Sequence, residues 1–282
     1  MAGRNIIWCQ TSDASVLARV RGKKYTHVII AALHLHCEGG KWVMYLNNTR
    51  VDQVGKPFWD AVEQLQKDGV TVTALLGGAG GGNWSCITQD PSQAISALKP
   101  LVNTYPLQGF DLDWEYSDFD PNAPGFDAKF LATFTAQLAK VRSGLVITHA
   151  PIPSQLPSYT SDIWNFLRTS LAWINVQWYG DNLLQVYSDF VSGRTSGAPV
   201  DPSRVVAGST VVRQVGVGYT DLCQLMSMVT TLLKQSGIGQ KFGGVAGWEF
   251  TQTIGSQDPK VSNWDTCIAA ALNGQTQCAA CK

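Results

Sequence analysis

Neither sign of charge predominates in this chain: 21 basic and 21 acidic residues cancel, and charged residues make up only 15% of it. That balance gives no electrostatic reason to expect nucleic acid or an anionic membrane as partner. No apolar run approaches the ~20 residues needed to span a bilayer, and no low-complexity linker marks a domain boundary. Met1-Ala2-Gly3-Arg4 leads directly into a strand-like segment, without the apolar core of a signal peptide. The protein is therefore expected to be intracellular, or else a leader has been removed and replaced by a start codon. Gly77–Gly82 lacks the Gly-Lys-Ser/Thr ending of a phosphate loop and reads as a flexible rim loop. The tail motif Cys278-Ala-Ala-Cys281 has neither a second pair nor a preceding strand, so a tail disulfide or free thiols is the expectation, not zinc. The other cysteines are Cys9, Cys37, Cys86, Cys223 and Cys267. Seven is an odd number, leaving at least one free or paired between molecules. Asn47-Asn48-Thr49 and Asn83-Trp84-Ser85 are sequons that lean only weakly towards secretion.

What the chain does have is apolar residues, at 45% of 282, enough for a large core. They fall into strand-then-helix units. Strands are expected at Asn5–Gln10, Thr26–Leu35, Val70–Leu76, Gly109–Glu115, Leu145–Ala150, Trp173–Tyr179, Arg204–Thr210 and Gly243–Phe250. A small hairpin is expected over Lys41–Asn47. Helices are expected from Ser12-Asp13 to Gly22, at Pro57–Lys67, from Asp90-Pro91, and at Asp127–Arg142, Asp162–Arg168, Leu183–Val191, Tyr219–Gln235 and Val261–Leu272. Eight such units make an α/β fold, a (β/α)8 TIM barrel. It is read as one catalytic domain over 1–282, with a short cysteine-containing tail from about 273. An open doubly wound sheet is the alternative.

The fourth strand holds the oddity. Alternation puts Asp111, Asp113 and Glu115 on one face and Phe110, Leu112 and Trp114 on the other. Carboxylates two residues apart lie about 6.6 Å from one another. At an effective dielectric of ~20 they repel by about 2.5 kcal/mol, so at least one of the three must hold a proton at neutral pH. The apolar opposite face argues against a solvated edge strand. Barrel active sites assemble at strand C-termini. There the sixth strand offers Gln177 and Tyr179, and the eighth offers Trp248. Acids, an amide, a phenol and an indole facing one mouth suit a sugar site. His34, His36 and His149 are read either as groove residues or as packed histidines.

Gln108-Gly109-Phe110-Asp111-Leu112-Asp113-Trp114-Glu115, together with Tyr179 and Trp248, resembles glycoside hydrolase family 18, whose signature is Asp-x-x-Asp-x-Asp-x-Glu. Two departures stand out. Gln108 replaces the first Asp, which raises a question about how the inner carboxylates are supported, and Leu75-Leu76-Gly77-Gly78 has Leu where the family often has Ser.

The resemblance implies retaining, substrate-assisted hydrolysis, in which the sugar's N-acetyl group is the nucleophile and no metal or organic cofactor is needed. Glu115 would be the acid. Asp113 would hold the acetamido N–H, and Asp111 would share a proton with Asp113. Tyr179 and Gln177 would orient the acetamido group, with Trp248 as the floor. With only Val211 to Tyr219 between the seventh strand and its helix, no large insertion fits and an open cleft is expected. Leu33-His34-Leu35-His36 and Phe242–Phe250 look most like compact endo-β-N-acetylglucosaminidases acting on the chitobiose core of N-glycans. Trp114, and Gln177 with Tyr179, look more like chitinases. Endo-β-N-acetylglucosaminidase action is the expectation and endochitinase action the alternative, so the expected partner is a GlcNAc oligosaccharide or a glycoprotein N-glycan, and the expected protein a secreted monomer. A carbohydrate-binding protein on a dead hydrolase barrel is the rival from another class.

Overall fold

The computed structural model describes residues 3–79, 84–115, 125–159, 163, 167, 170–215 and 218–282. Ten strands are present: β1 Arg4–Gln10, β2 His27–Glu38, β3 Lys41–Leu46, β4 Thr49–Arg50, β5 Thr71–Gly77, β6 Gly109–Asp113, β7 Val146–His149, β8 Trp173–Val176, β9 Val205–Thr210 and β10 Gly244–Trp248. Eight of them, β1, β2 and β5–β10, pair in parallel. The circle closes because β1 pairs with both β2 and β10. Helices cover the outside, so the (β/α)8 barrel read from the sequence is the fold.

Alternation along each strand separates two cores. Ile6, Trp8, Ile29, Leu75, Trp173 and Val206 point into the barrel and pack on one another. Ile7, Cys9, Val28, Ile30, Phe110 and Leu112 point outward into a larger layer shared with the helices. Helix starts follow local chemistry. Asp13, Asp90, Asp127 and Asp221 each accept a backbone N–H at the first turn of the helix they precede. Several boundaries are tighter than the apolar pattern suggests. The helix expected over Asp127–Arg142 runs from Ala128 to Leu138, and that expected over Tyr219–Gln235 from Leu222 to Leu232. The one expected over Val261–Leu272 is split into Pro259–Ser262 and Trp264–Leu272. The helix expected at Asp162–Arg168 lies mostly outside the described residues.

Two features shape the mouth of the barrel. β2 runs on to Glu38 and pairs antiparallel with β3, so the expected hairpin is there, as a wall rising beyond the barrel rim. A helix unforeseen in the sequence, Trp84–Gln89, follows the glycine run. The tail is stapled: Cys281 bridges back to Cys223, and Cys278 to Cys267. The tail cysteines thus pair with neighbouring helices and not with each other.

Candidate active site

Asp111 and Asp113 lie on the inward face of β6, and Glu115 follows two residues past its end. Their opposite-face neighbours Phe110, Leu112 and Trp114 are all buried. Trp114 stacks on Trp84 at 4.7 Å with the planes 5° apart, so it packs outside the barrel and does not face the mouth.

Asp111 is fully buried and ringed by donors. Trp8 Nε1–H gives it a bond of 3.0 Å, the Thr148 hydroxyl one of 2.6 Å and Asn175 Nδ2 one of 3.1 Å. Burial raises its pKa, and the three donors pull it back. Asp113, also buried, has no comparable set. Burial first, then the charge of Glu115, a hydrogen bond with Glu115 and the charge of Asp111, hold its pKa well above the usual carboxylate range. Of the three, Asp113 is therefore the carboxyl group best placed to hold the proton that the row demands.

Gln177 ties the pair together. Its Nε2 lies 2.9 Å from Glu115 Oε1, 3.2 Å from Asp113 Oδ1 and 2.9 Å from the Ala150 carbonyl. An amide nitrogen has two hydrogens for these three acceptors, so one is shared. β8 ends at Val176, earlier than the expected Tyr179, and Gln177 and Tyr179 lie in the segment just beyond it. The Tyr179 hydroxyl is kept protonated by burial and by the charges of Asp113, Glu115 and Asp111.

These groups open into a cleft of about 450 Å³, lined by Asp113, Glu115, Gln177, Tyr179, Trp8 and Trp248 among others. Trp248 ends β10, half-exposed, with Trp8 edge-on against it at 6.1 Å. Gly77 and Gly78 form part of the rim. Gly77 has φ +105°, and a Cβ there would sit 2.1 Å from the Asp113 carbonyl oxygen; only glycine lets the rim close on the acid strand.

Other sequence candidates separate cleanly. His34 lines the cleft, and the row continues along the hairpin as His36 and Tyr45, with ring centroids 6.2 and 5.2 Å apart. His149 does not approach the acids. The Thr135 hydroxyl gives its proton to the Leu131 carbonyl and so accepts from His149 Nε2–H at 2.8 Å, while Nδ1 accepts from Tyr159 at 3.0 Å. It is a packed neutral histidine, its pKa pushed down by burial to about 3.

Gln108 uses Oε1 to accept the Val72 N–H at 2.7 Å, so it pins the start of β6 to β5. Support of the inner carboxylate comes instead from Trp8, Thr148 and Asn175. Alternation along β1, β7 and β8 could have pointed to these three, but no local motif singles them out. Asn47, the first sequon residue, has φ +53° and lines the cleft. Its Nδ2 donates to the Ala31 carbonyl at 2.9 Å and its Oδ1 accepts from Ala32 N–H, so a glycan on Nδ2 would compete with the bond to Ala31. The second sequon begins at Asn83, outside the described residues.

No family model matches the chain. A chitinase from Pseudoalteromonas aurantia, described as GH18, superposes with a TM-score of 0.75 over 95% of this chain and 100% of its own, at 22% identity. This chain shares the (β/α)8 barrel of that structure. A second GH18 chitinase, from Chromobacterium violaceum, gives a TM-score of 0.71 over 97% of this chain and 84% of its own, at 18% identity. By sequence, the chain is similar to Chitinase Chi52 of Paenibacillus xylanexedens, 24% identical over 268 residues and covering 77% of this chain and 49% of that one. It is also similar to Chitinase 1 of Tulipa saxatilis subsp. bakeri, 27% identical over 140 residues, which is 44% of each chain. The chain thus spans about half the length of the curated relatives it matches.

Proposed function

We propose that the protein is a glycoside hydrolase that cuts β-1,4 linkages of GlcNAc with retention, using the substrate's acetamido group as nucleophile. The observation that carries this is the Asp113–Glu115 pair: two carboxyl groups bridged by Gln177, with Asp113 held above the usual carboxylate range, at the edge of a cleft lined by Tyr179 and Trp248. A retaining enzyme with a carboxylate nucleophile would need the second acid ionised and facing the sugar. Here the second acid is hydrogen-bonded to Glu115 and tied to it through Gln177, which suits a partner that positions the acetamido group.

The single proton has two useful positions. On Asp113 it screens the pair while the cleft is empty. Moved to Glu115, it arms the general acid and leaves Asp113 as an anion that accepts the acetamido N–H and stabilises the positive charge of the oxazolinium-like intermediate. Asp111, held by three donors, places a negative charge below Asp113 that opposes this move, so the acetamido N–H and the developing positive charge drive it. Gln177 keeps the two carboxyl groups in register through the transfer. Tyr179 presents a protonated hydroxyl to the acetamido carbonyl, and Trp248 offers its face to the sugar ring.

Chitin and chito-oligosaccharides are the substrate we favour, because the relatives by sequence and by structure are named chitinases and a half-exposed row of rings, His36 and Tyr45, extends from His34 at the cleft. Endo-β-N-acetylglucosaminidase action on the N-glycan core is the second reading. The short connection between β9 and the Leu222–Leu232 helix favours it, since that connection leaves no room for a domain closing over the cleft. The two disulfides suit an oxidising compartment, and hence secretion.

Three parallel incubations test the reading: chito-oligosaccharides, their N-deacetylated counterparts, and a high-mannose glycoprotein. Cleavage of the acetylated oligomers without cleavage of the deacetylated ones is expected. Release of glycan from the glycoprotein, leaving one GlcNAc behind, would move the assignment to the second reading. Binding without products from any of them would make the barrel a lectin.

A further inference from the structure

Seven cysteines leave three outside the two bridges: Cys9, Cys37 and Cys86. They are not alike. Cys9 is buried in the layer between barrel and helices, where burial and the charge of Glu249 push its thiol up, so it behaves as a packed apolar side chain. Cys37 lies near the end of β2 and is exposed; Cys86 lies in the Trp84–Gln89 helix and is half-buried. The helix packs on β2, and the Cys86 thiol is near enough to that of Cys37 to act on its ionisation.

We propose that Cys37 and Cys86 form a third disulfide, which clamps the Trp84–Gln89 helix to the end of β2 beside the catalytic cleft. A bond between the two sulfurs needs Cα atoms about 4.4–6.8 Å apart, a spacing within the range of a strand and a helix packed on one another. The two existing bridges indicate that the chain matures where disulfides form. The third completes the arithmetic: three pairs, and one cysteine that no oxidant can reach.

The chemistry needs a two-electron oxidant, which a small-molecule disulfide or a dithiol oxidase supplies. One thiol ionises and attacks the oxidant's disulfide, expelling a thiolate and leaving a mixed disulfide. The second thiolate then displaces the oxidant's remaining sulfur. Two protons and two electrons leave the protein, and the oxidant departs as two thiols.

The place of the bridge gives it a consequence. The helix begins at Trp84, whose Nε1–H donates to the Asp113 carbonyl at 3.0 Å and whose ring stacks on Trp114. The same helix follows the rim that Gly77 and Gly78 begin. A bridge from Cys86 to β2 therefore braces the segment pressed against the acid strand. Nothing in it depends on which sugar is cut.

Peptide mapping tests the bridge. The full chain, purified without reductant and equilibrated with oxidised glutathione, is alkylated in its native state and digested without reduction. A linked peptide pair containing Cys37 and Cys86 is expected, with Cys9 alkylated only after unfolding. Alkylation of both Cys37 and Cys86 in protein whose other two bridges are intact overturns the proposal. The clamp is read separately by melting in the same buffer. Cys37→Ser, Cys86→Ser and the double variant should each lower Tm by about the same 5–10 °C, because either loss breaks one bridge. Losses that add in the double variant, or no loss at all, would mean that no bridge joins the two.

Discussion

Replacing Asp113 by Asn keeps the size of the side chain and removes the proton at issue. In the folded protein Asp113 stays protonated well above the usual carboxylate range, whereas in the unfolded chain it ionises near pH 4. A raised carboxyl pKa contributes stability that is present below the unfolded value and lost as pH rises through the folded one. Each pH unit in that window costs about 1.4 kcal/mol. Asp113→Asn should therefore melt close to wild type at pH 4 and above it at pH 7, with the gain growing between, while turnover collapses. A melting difference that does not depend on pH would mean that Asp113 is ionised in the fold. Glu115→Gln keeps the Gln177 contact site and cannot donate a proton to the leaving group. It should lose about 10²–10⁴-fold in kcat and still bind chito-oligosaccharides by calorimetry. The acids were legible from the sequence because two-residue spacing on a strand is enough to place them. Trp8, Thr148 and Asn175 were not, because each comes from a different strand and meets Asp111 only once the barrel closes.

At the level of elements, the hold of β1 on β6 and the close approach of β5 to β6 can each be broken singly. Trp8→Phe removes one of three donors from buried Asp111 and leaves a small void where the indole was. It should cost about 1–3 kcal/mol in denaturant unfolding and lower kcat, since a less-held Asp111 takes up a proton that should stay between Asp113 and Glu115. Gly77→Ala demands a left-handed φ of +105° from alanine and drives a methyl group against the Asp113 carbonyl. It should destabilise more than the same exchange at Gly22, which has nothing within 4 Å. Strands with β-branched runs and helices opened by Asp were legible because the signal is local. The Trp84–Gln89 helix was not, being six residues held by the Trp84–Trp114 stack and not by propensity. The shortening of β8 to Val176 was missed for a related reason: Gln177 leaves the strand pattern to reach three acceptors that no local rule includes.

For the whole molecule, closure of the barrel holds two histidines neutral, His149 buried and His27 half-buried. His149 is lowered to about 3 by burial, and His27 to about 4 by burial and by Arg4. A depressed histidine pKa gives stability that is present above the unfolded value near 6.5 and lost as pH falls towards the folded value. Below pH 6.5 each should cost up to about 1.4 kcal/mol per pH unit. The effect is opposite in sign to that of Asp113, so it shows most plainly by denaturant unfolding in the Asp113→Asn variant. The eight-fold alternation made the barrel legible. Gln108 drew suspicion only because linear comparison cannot tell that its side chain caps β5 and leaves the carboxylates to other strands. The stereochemistry of the first product tests substrate-assisted hydrolysis most directly, by proton NMR of chito-oligosaccharide cleavage in its first minutes, before mutarotation. The new reducing end should appear as the β-anomer. Appearance of the α-anomer would contradict a mechanism in which the acetamido group attacks first and the Asp113–Glu115 pair manages a single proton.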